Sequence, residues 1–146
     1  MDFHIGLMPA RPVGTVTFLF TDMEGSTRAW EAYPKETRVA LQRHDEIVAN
    51  AIETNHGIII LERGEGDSVF AVFERPSDAV AAACELQLAL SKEEWPAAVP
   101  LRVRVAIHTG EADADYRGPH VNRAARIRAI GHGEQVLLSG VAAGIV

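Results

Sequence analysis

Hydrophobic and polar residues alternate with two different periods along this chain, and the change of period marks its elements. Residues 13–21, Val-Gly-Thr-Val-Thr-Phe-Leu-Phe-Thr, are mostly apolar or β-branched and predict a central strand. A short helix follows from Thr27 to about Tyr33, cut by Pro34. Between Lys35 and Asn55, the residues Val39, Leu41, Ile47, Val48 and Ile52 recur with helical spacing, and Asn55-His56-Gly57 is a stop signal. Residues 58–62 and 68–73 read as two strands joined by the turn Arg63-Gly64-Glu65-Gly66-Asp67, a β-hairpin. Pro76-Ser77-Asp78 opens a helix over about 77–92, with Ala79, Val80, Ala83, Leu86 and Leu90 on one side. Strict alternation of Val103, Val105 and Ile107 against Arg102, Arg104 and Ala106 predicts a strand over 101–109. A polar loop over 110–119, a helix over 120–130 and a strand over 135–139 complete the reading.

The predicted order is β-α-α-β-β-α-β-loop-α-β. A strand, a helical crossover, a hairpin, a second crossover and another strand make a split βαβ unit. The expected fold is therefore α+β, a ferredoxin-like, mostly antiparallel sheet with helices on one face. Residues 1–12, ending in Pro9-Ala10-Arg11-Pro12, read as a flexible lead-in, and 13–146 as one domain large enough for a real core.

Composition narrows the function classes. The net charge of -6 disfavours a nucleic-acid backbone as partner, because such binders cluster Lys and Arg. No apolar run approaches a membrane span, and Asp2 stands where a signal peptide would carry its basic residues. The one cysteine, Cys84, has no internal partner and sits in an Ala-rich helical run, where a small buried side chain is expected. A cytoplasmic setting fits these features.

Three clusters carry candidate chemistry. The first strand delivers Asp22, and then Gly25, Ser26 and Thr27 lead into a helix. An aspartate can hold Mg²⁺, and a small-residue turn into a helix offers N–H groups to phosphate oxygens. A buried strand running into a helix N-cap has the same pattern, so both readings stand at this level. Asp67, in the hairpin turn, is a second carboxylate, and it lies beside Asp22 if the first strand and the hairpin are sheet neighbours. On the predicted helix over 120–130, Asn122 and Arg126 are four apart and share a face, an amide and a guanidinium suited to a nucleotide or to solvent. His108 alternates on a strand and is expected to be a packing residue.

Phe-Thr-Asp-Met-Glu-Gly-Ser-Thr at 20–27, Gly-Glu-Gly-Asp at 64–67, His-Thr-Gly-Glu at 108–111, Val-Asn-Arg-Ala-Ala-Arg at 121–126 and Gly-Glu-Gln-Val-Leu-Leu-Ser at 133–139 occur in that order. Together they resemble the catalytic domain of the class III nucleotidyl cyclases, short bacterial type. The resemblance implies an adenylyl cyclase that converts ATP to 3′,5′-cyclic AMP and pyrophosphate, with two Mg²⁺ or Mn²⁺ per site. It implies Asp22, Asp67 and the Met23 carbonyl as metal ligands, and Gly25, Ser26 and Thr27 as the triphosphate turn. Asn122 matches the ribose-orienting asparagine, Arg126 the arginine at the α-phosphate, and Arg63 and Asp115 the base-contacting positions. It also implies a homodimer, each site taking Asp22 and Asp67 from one chain and Arg63, Asp115, Asn122 and Arg126 from the other.

The chain departs from that pattern in three places. Arg63 stands where adenylyl cyclases of the family carry lysine; guanylyl members carry Glu and Gly at the two base positions. The 110–115 loop is shorter than the family's dimer-supporting segment. The family's final C-terminal hairpin, with its phosphate-binding lysine, has no counterpart before Val146. The alternative these departures support is a weakly active or degenerate cyclase-like regulatory domain that binds nucleotide or a partner domain. A haloacid-dehalogenase-type phosphatase fits less well, since Glu24 is the wrong acid for its Asp-x-Asp loop. A single-strand RNA binder would need aromatic stacking residues that these strands lack.

Overall fold

The computed structural model describes residues 11–61, 67–113, 115, 116 and 136–138. They form a five-stranded sheet with three helices. In chain order these are β1 (Gly14–Met23), α1 (Ser26–Ala32), α2 (Pro34–Thr54), β2 (Ile58–Ile59), β3 (Val69–Phe73), α3 (Pro76–Lys92), β4 (Val103–Ala112) and β5 (Val136–Leu138). The strand order is β2-β3-β1-β4-β5, with β5 parallel to β4 and every other pair antiparallel. The first four strands reproduce the split βαβ plan, and β5 extends it at the edge beside β4.

Alternation along β1 separates two cores. Leu19 and Met23 face α2 and α3, where they meet Ile47, Val48, Ile52, Ala79, Ala83, Leu86, Val103, Val105 and Ile107. Val16, Phe18 and Phe20 face the other way and cluster with Ile60, Phe70, Val72 and Tyr116. Both faces are therefore buried, which is why β1 reads as a nearly continuous apolar run. On the helix face, Thr17 and Thr109 are directly opposed across β1 and β4, and their buried hydroxyls hydrogen-bond at 2.8 Å. That pairing satisfies two polar groups where an unpartnered one would be costly.

α2 buries Thr37, Ala40, His44, Ile47, Val48, Ala51 and Ile52. The Thr37 hydroxyl donates to the Ala29 carbonyl at 3.0 Å and ties α2 to α1. Val39, expected on the apolar stripe, is exposed instead, and His44 takes a core position where it bonds Asp45 through Nδ1. α2 stops through the Asn55 side chain, which donates to the Ala51 carbonyl, and a left-handed His56 at φ 67°. Gly57 is required for room, not for φ. A Cβ there would lie 2.5 Å from two ring carbons of Phe73 and 2.8 Å from the Ile52 methyl.

Several expectations are corrected. β1 runs on through Asp22 to Met23, because its ladder with β4 continues to the pair Met23–Val103. β2 is only Ile58–Ile59. The predicted polar loop after 109 begins as strand, since β4 pairs with β1 as far as Ala112 opposite Gly14. Tyr116, inside that loop, is buried; its hydroxyl donates to the Pro12 carbonyl at 2.8 Å, and its ring meets Phe70 edge-on. Cys84 is exposed, on the outer side of α3 from Ala83 and Leu86. His108 is buried, as expected of a packing residue. The predicted helix over 120–130 and hairpin turn over 63–66 lie outside the described residues. No helix among the described residues is long and apolar enough to cross a membrane.

Candidate active site

The strand registers bring the two candidate carboxylates together. Asp22 lies directly opposite Arg104 in the β1–β4 ladder. On its other side β1 pairs with β3, with Thr21 opposite Val69. Continued two residues further, that antiparallel register sets Met23 opposite Asp67. Asp22 and Asp67 thus arrive from neighbouring strands at the same end of the sheet.

A cavity of about 480 Å³ opens there, lined by Asp22, Met23, Gly25, Ser26, Thr27, Arg28, Asp67 and Arg104. It gathers every residue expected as a metal ligand or triphosphate contact. The turn between β1 and α1 forms its wall. Gly25 sits at φ 71°, left-handed backbone that a Cβ would strain, and accepts the first helical bond from Ala29 N–H at 3.1 Å. Glu24 N–H donates to the Arg102 carbonyl at 2.8 Å, so the chain leaves the sheet only after Met23 and then turns sharply. Met23 anchors this corner in the helix-side core, 3% exposed.

Arg104 is the residue that sequence reasoning missed. Its Nε donates to Asp22 Oδ1 and its Nη2 to Asp22 Oδ2, both at 2.8 Å, a bidentate pair. The side chains are 28% and 16% exposed, so the pair is partly shielded from water. On the strand pattern Arg104 was simply the polar half of an alternation. The usable signal was the register, which pairs it with Asp22.

Asp67 is in the opposite situation. Its Oδ2 is buried and has no hydrogen-bond partner among the described residues. A buried carboxylate oxygen with no donor is expensive unless a cation satisfies it. Asp22 meanwhile already holds a positive charge, in the form of a guanidinium. This donor set fits a hard divalent cation. Among the described residues no group of three or more His, Cys, Asp or Glu side chains could hold a metal alone. Two carboxylates and a carbonyl suit Mg²⁺ or Mn²⁺ bound together with phosphate oxygens and water.

Of the other expected residues, only Asp115 is among those described. Asp115 is exposed, in a turn where its N–H bonds the Asp113 carboxylate, and it does not line the cavity. Arg63, Asn122 and Arg126 lie outside the described residues.

Residues 8–145 match the model of the adenylate and guanylate cyclase catalytic domain. The chain belongs to this family. Among its relatives, an uncharacterized protein of Mycobacterium tuberculosis is 41% identical over 138 residues, covering 92% of this chain and 46% of that protein. The chain thus spans about half the length of this relative. An adenylate cyclase of Lachancea kluyveri is 31% identical over 158 residues, covering 89% of this chain and 8% of its own length. Among solved structures, an adenylate cyclase from Trypanosoma brucei, described in its monomeric state, superposes with a TM-score of 0.82 at 28% identity. That alignment covers 95% of this chain and 79% of the other.

Proposed function

We propose that this domain is an adenylyl cyclase, converting ATP to 3′,5′-cyclic AMP and pyrophosphate. The observation that carries the reading is the cavity in which Asp22 and the orphaned Asp67 face the Gly25-Ser26-Thr27 turn. The adenylate cyclase relatives support ATP as the nucleotide, as does the sequence match of Asp115 to the family's adenine-contacting position.

Asp22, Asp67 and the Met23 carbonyl would hold two Mg²⁺ or Mn²⁺. Bound there, the ions would lower the pKa of the ribose 3′-hydroxyl and neutralise the phosphates. The turn at 25–27 supplies backbone N–H groups and two hydroxyls to the triphosphate. Asn122 orients the ribose. Arg126 stabilises negative charge on the equatorial oxygens as the 3′-oxygen attacks the α-phosphorus and pyrophosphate departs. No covalent nucleophile is used. The site is shared between two copies of the chain: one supplies Asp22 and Asp67, the other Arg63, Asp115, Asn122 and Arg126.

Arg104 couples the cation to the site. A cation at Asp22 competes with the guanidinium for the charge of the same carboxylate, and Arg104 stays in the cavity beside the incoming phosphates. The partly shielded pair is worth about 1 kcal/mol. Arg104→Met is therefore expected to tighten Mn²⁺ binding in the absence of nucleotide by about fivefold. It should at the same time raise the KM for ATP. Calorimetric Mn²⁺ titration and a cyclase assay measure the two effects separately.

The shared site is tested by mixing. Asp22→Ala and Arg126→Ala are each expected to be inactive as homodimers. Combined, they form heterodimers in which one of the two sites is whole, and activity returns to a fraction of wild type. If the mixture stays inactive under conditions where subunits exchange, the two halves do not come from different chains.

A further inference from the structure

Arg28 has no part in the site as built so far, yet it lines the cavity from the first turn of α1. We propose that Arg28 is a phosphate-binding residue that grips the polyphosphate tail of the substrate. This deepens, and rests on, the metal–triphosphate reading of the same cavity.

Charge is the first argument. Among the described residues lining the cavity, Asp22 and Asp67 bring two negative charges and Arg28 and Arg104 two positive ones, so these four balance. A nucleoside triphosphate with about four negative charges is likewise neutral once two divalent cations are bound. Removing one arginine leaves these residues net negative facing phosphate oxygens.

The two arginines are not equivalent. Arg104 is engaged with Asp22 through both of its bonds. Arg28 pairs with no carboxylate among the described residues, although Asp22, Glu24 and Asp67 are all nearby in the chain or the cavity. Its five N–H donors are therefore available without breaking a protein contact.

Position is the second argument. Side chains on a helix tilt toward its N-terminus, so from its place in α1 the Arg28 stem leans back over the Gly25-Ser26-Thr27 turn. Arg28 also borders an adjoining cavity of about 270 Å³, with Met23, Gly25, Ala29, Tyr33 and Val99. A residue that borders both spaces can present its guanidinium to phosphate by side-chain rotation alone. A planar fork there matches two phosphate oxygens at once, which a lysine cannot do.

The test uses the purified full chain and inorganic tripolyphosphate with Mn²⁺, titrated by calorimetry, so that neither base recognition nor turnover enters. Arg28→Ala is expected to raise the dissociation constant about tenfold, and Arg28→Lys to recover part of that loss. Arg38→Ala, an exposed arginine on α2 away from the cavity, should leave binding unchanged and controls for bulk charge. Circular dichroism establishes that each variant is folded. If Arg28→Ala binds within about twofold of wild type, or if Arg38→Ala loses as much, the role of Arg28 is overturned while the cavity reading stands. If folded wild-type protein binds no Mn²⁺–tripolyphosphate, both fall together.

Discussion

Asp22→Asn is expected to lower cyclase turnover by at least about 100-fold while leaving the fold intact, and Asp67→Asn to do the same. The substitution keeps volume and one acceptor oxygen and removes only the charge. Asp22 is the point where three strands converge: β1 carries it, β4 sets Arg104 against it, and β3 leads to Asp67 on the other side. With asparagine there, Arg104 loses its ion pair, the cation loses one anionic ligand, and Asp67 is left to hold charge alone. The two variants should differ in stability. Asp22→Asn breaks a bidentate pair and should destabilise the cation-free protein by about 1 kcal/mol. Asp67→Asn converts an oxygen with no donor into an amide that can donate, and should be neutral or stabilising. Thermal unfolding without metal, set beside turnover with metal, separates the two roles.

Phe70→Ala is expected to cost about 3–5 kcal/mol of folding stability, enough to unfold a marginal domain. Phe70 is 1% exposed at the centre of the second core. Its ring stacks on Phe20 with centroids 4.4 Å apart and on Phe18 at 5.8 Å, and meets Tyr116 edge-on at 6.2 Å. Phe20 and Phe70 are also cross-strand partners. Aromatic pairs of this kind add about 0.5–1.5 kcal/mol beyond burial. The consequence reaches the site, because Asp22 is two residues beyond Phe20 on the same face of β1. Denaturant unfolding gives the loss of stability. Phe70→Leu, which fills most of the space, should recover much of it.

The strand and helix order through β4 could be read from local pattern: β1 is a continuous apolar run, α3 carries a helical stripe, and 101–109 alternate, while the polar end of β4 hid its last three residues. The carboxylate pair was legible for a different reason. Asp22 follows an apolar run and Asp67 sits in a glycine turn, so both fall at strand ends, and one assumption about sheet neighbours brings them together. Arg104 was not legible, since an arginine at an alternating strand position is ordinarily solvated. Only the register sets it against Asp22. Tyr116 was hidden by its acidic neighbours, although an aromatic ring in a polar stretch must find a core somewhere. Cys84 was misplaced because alanines lie on both sides of α3, and composition cannot say which side is inward. His44 filled the helical stripe at a position the apolar pattern skipped.

One measurement tests nucleotide cyclisation at Asp22 and Asp67 directly. Purified protein is incubated with ATP, and separately with GTP, in the presence of Mn²⁺, and cyclic nucleotide and pyrophosphate are quantified together. The prediction is cyclic AMP and pyrophosphate in equal amounts from ATP, less product from GTP, and none from Asp22→Asn. Product that persists undiminished in folded Asp22→Asn, or folded wild-type protein that yields no cyclic nucleotide from either substrate, would contradict it.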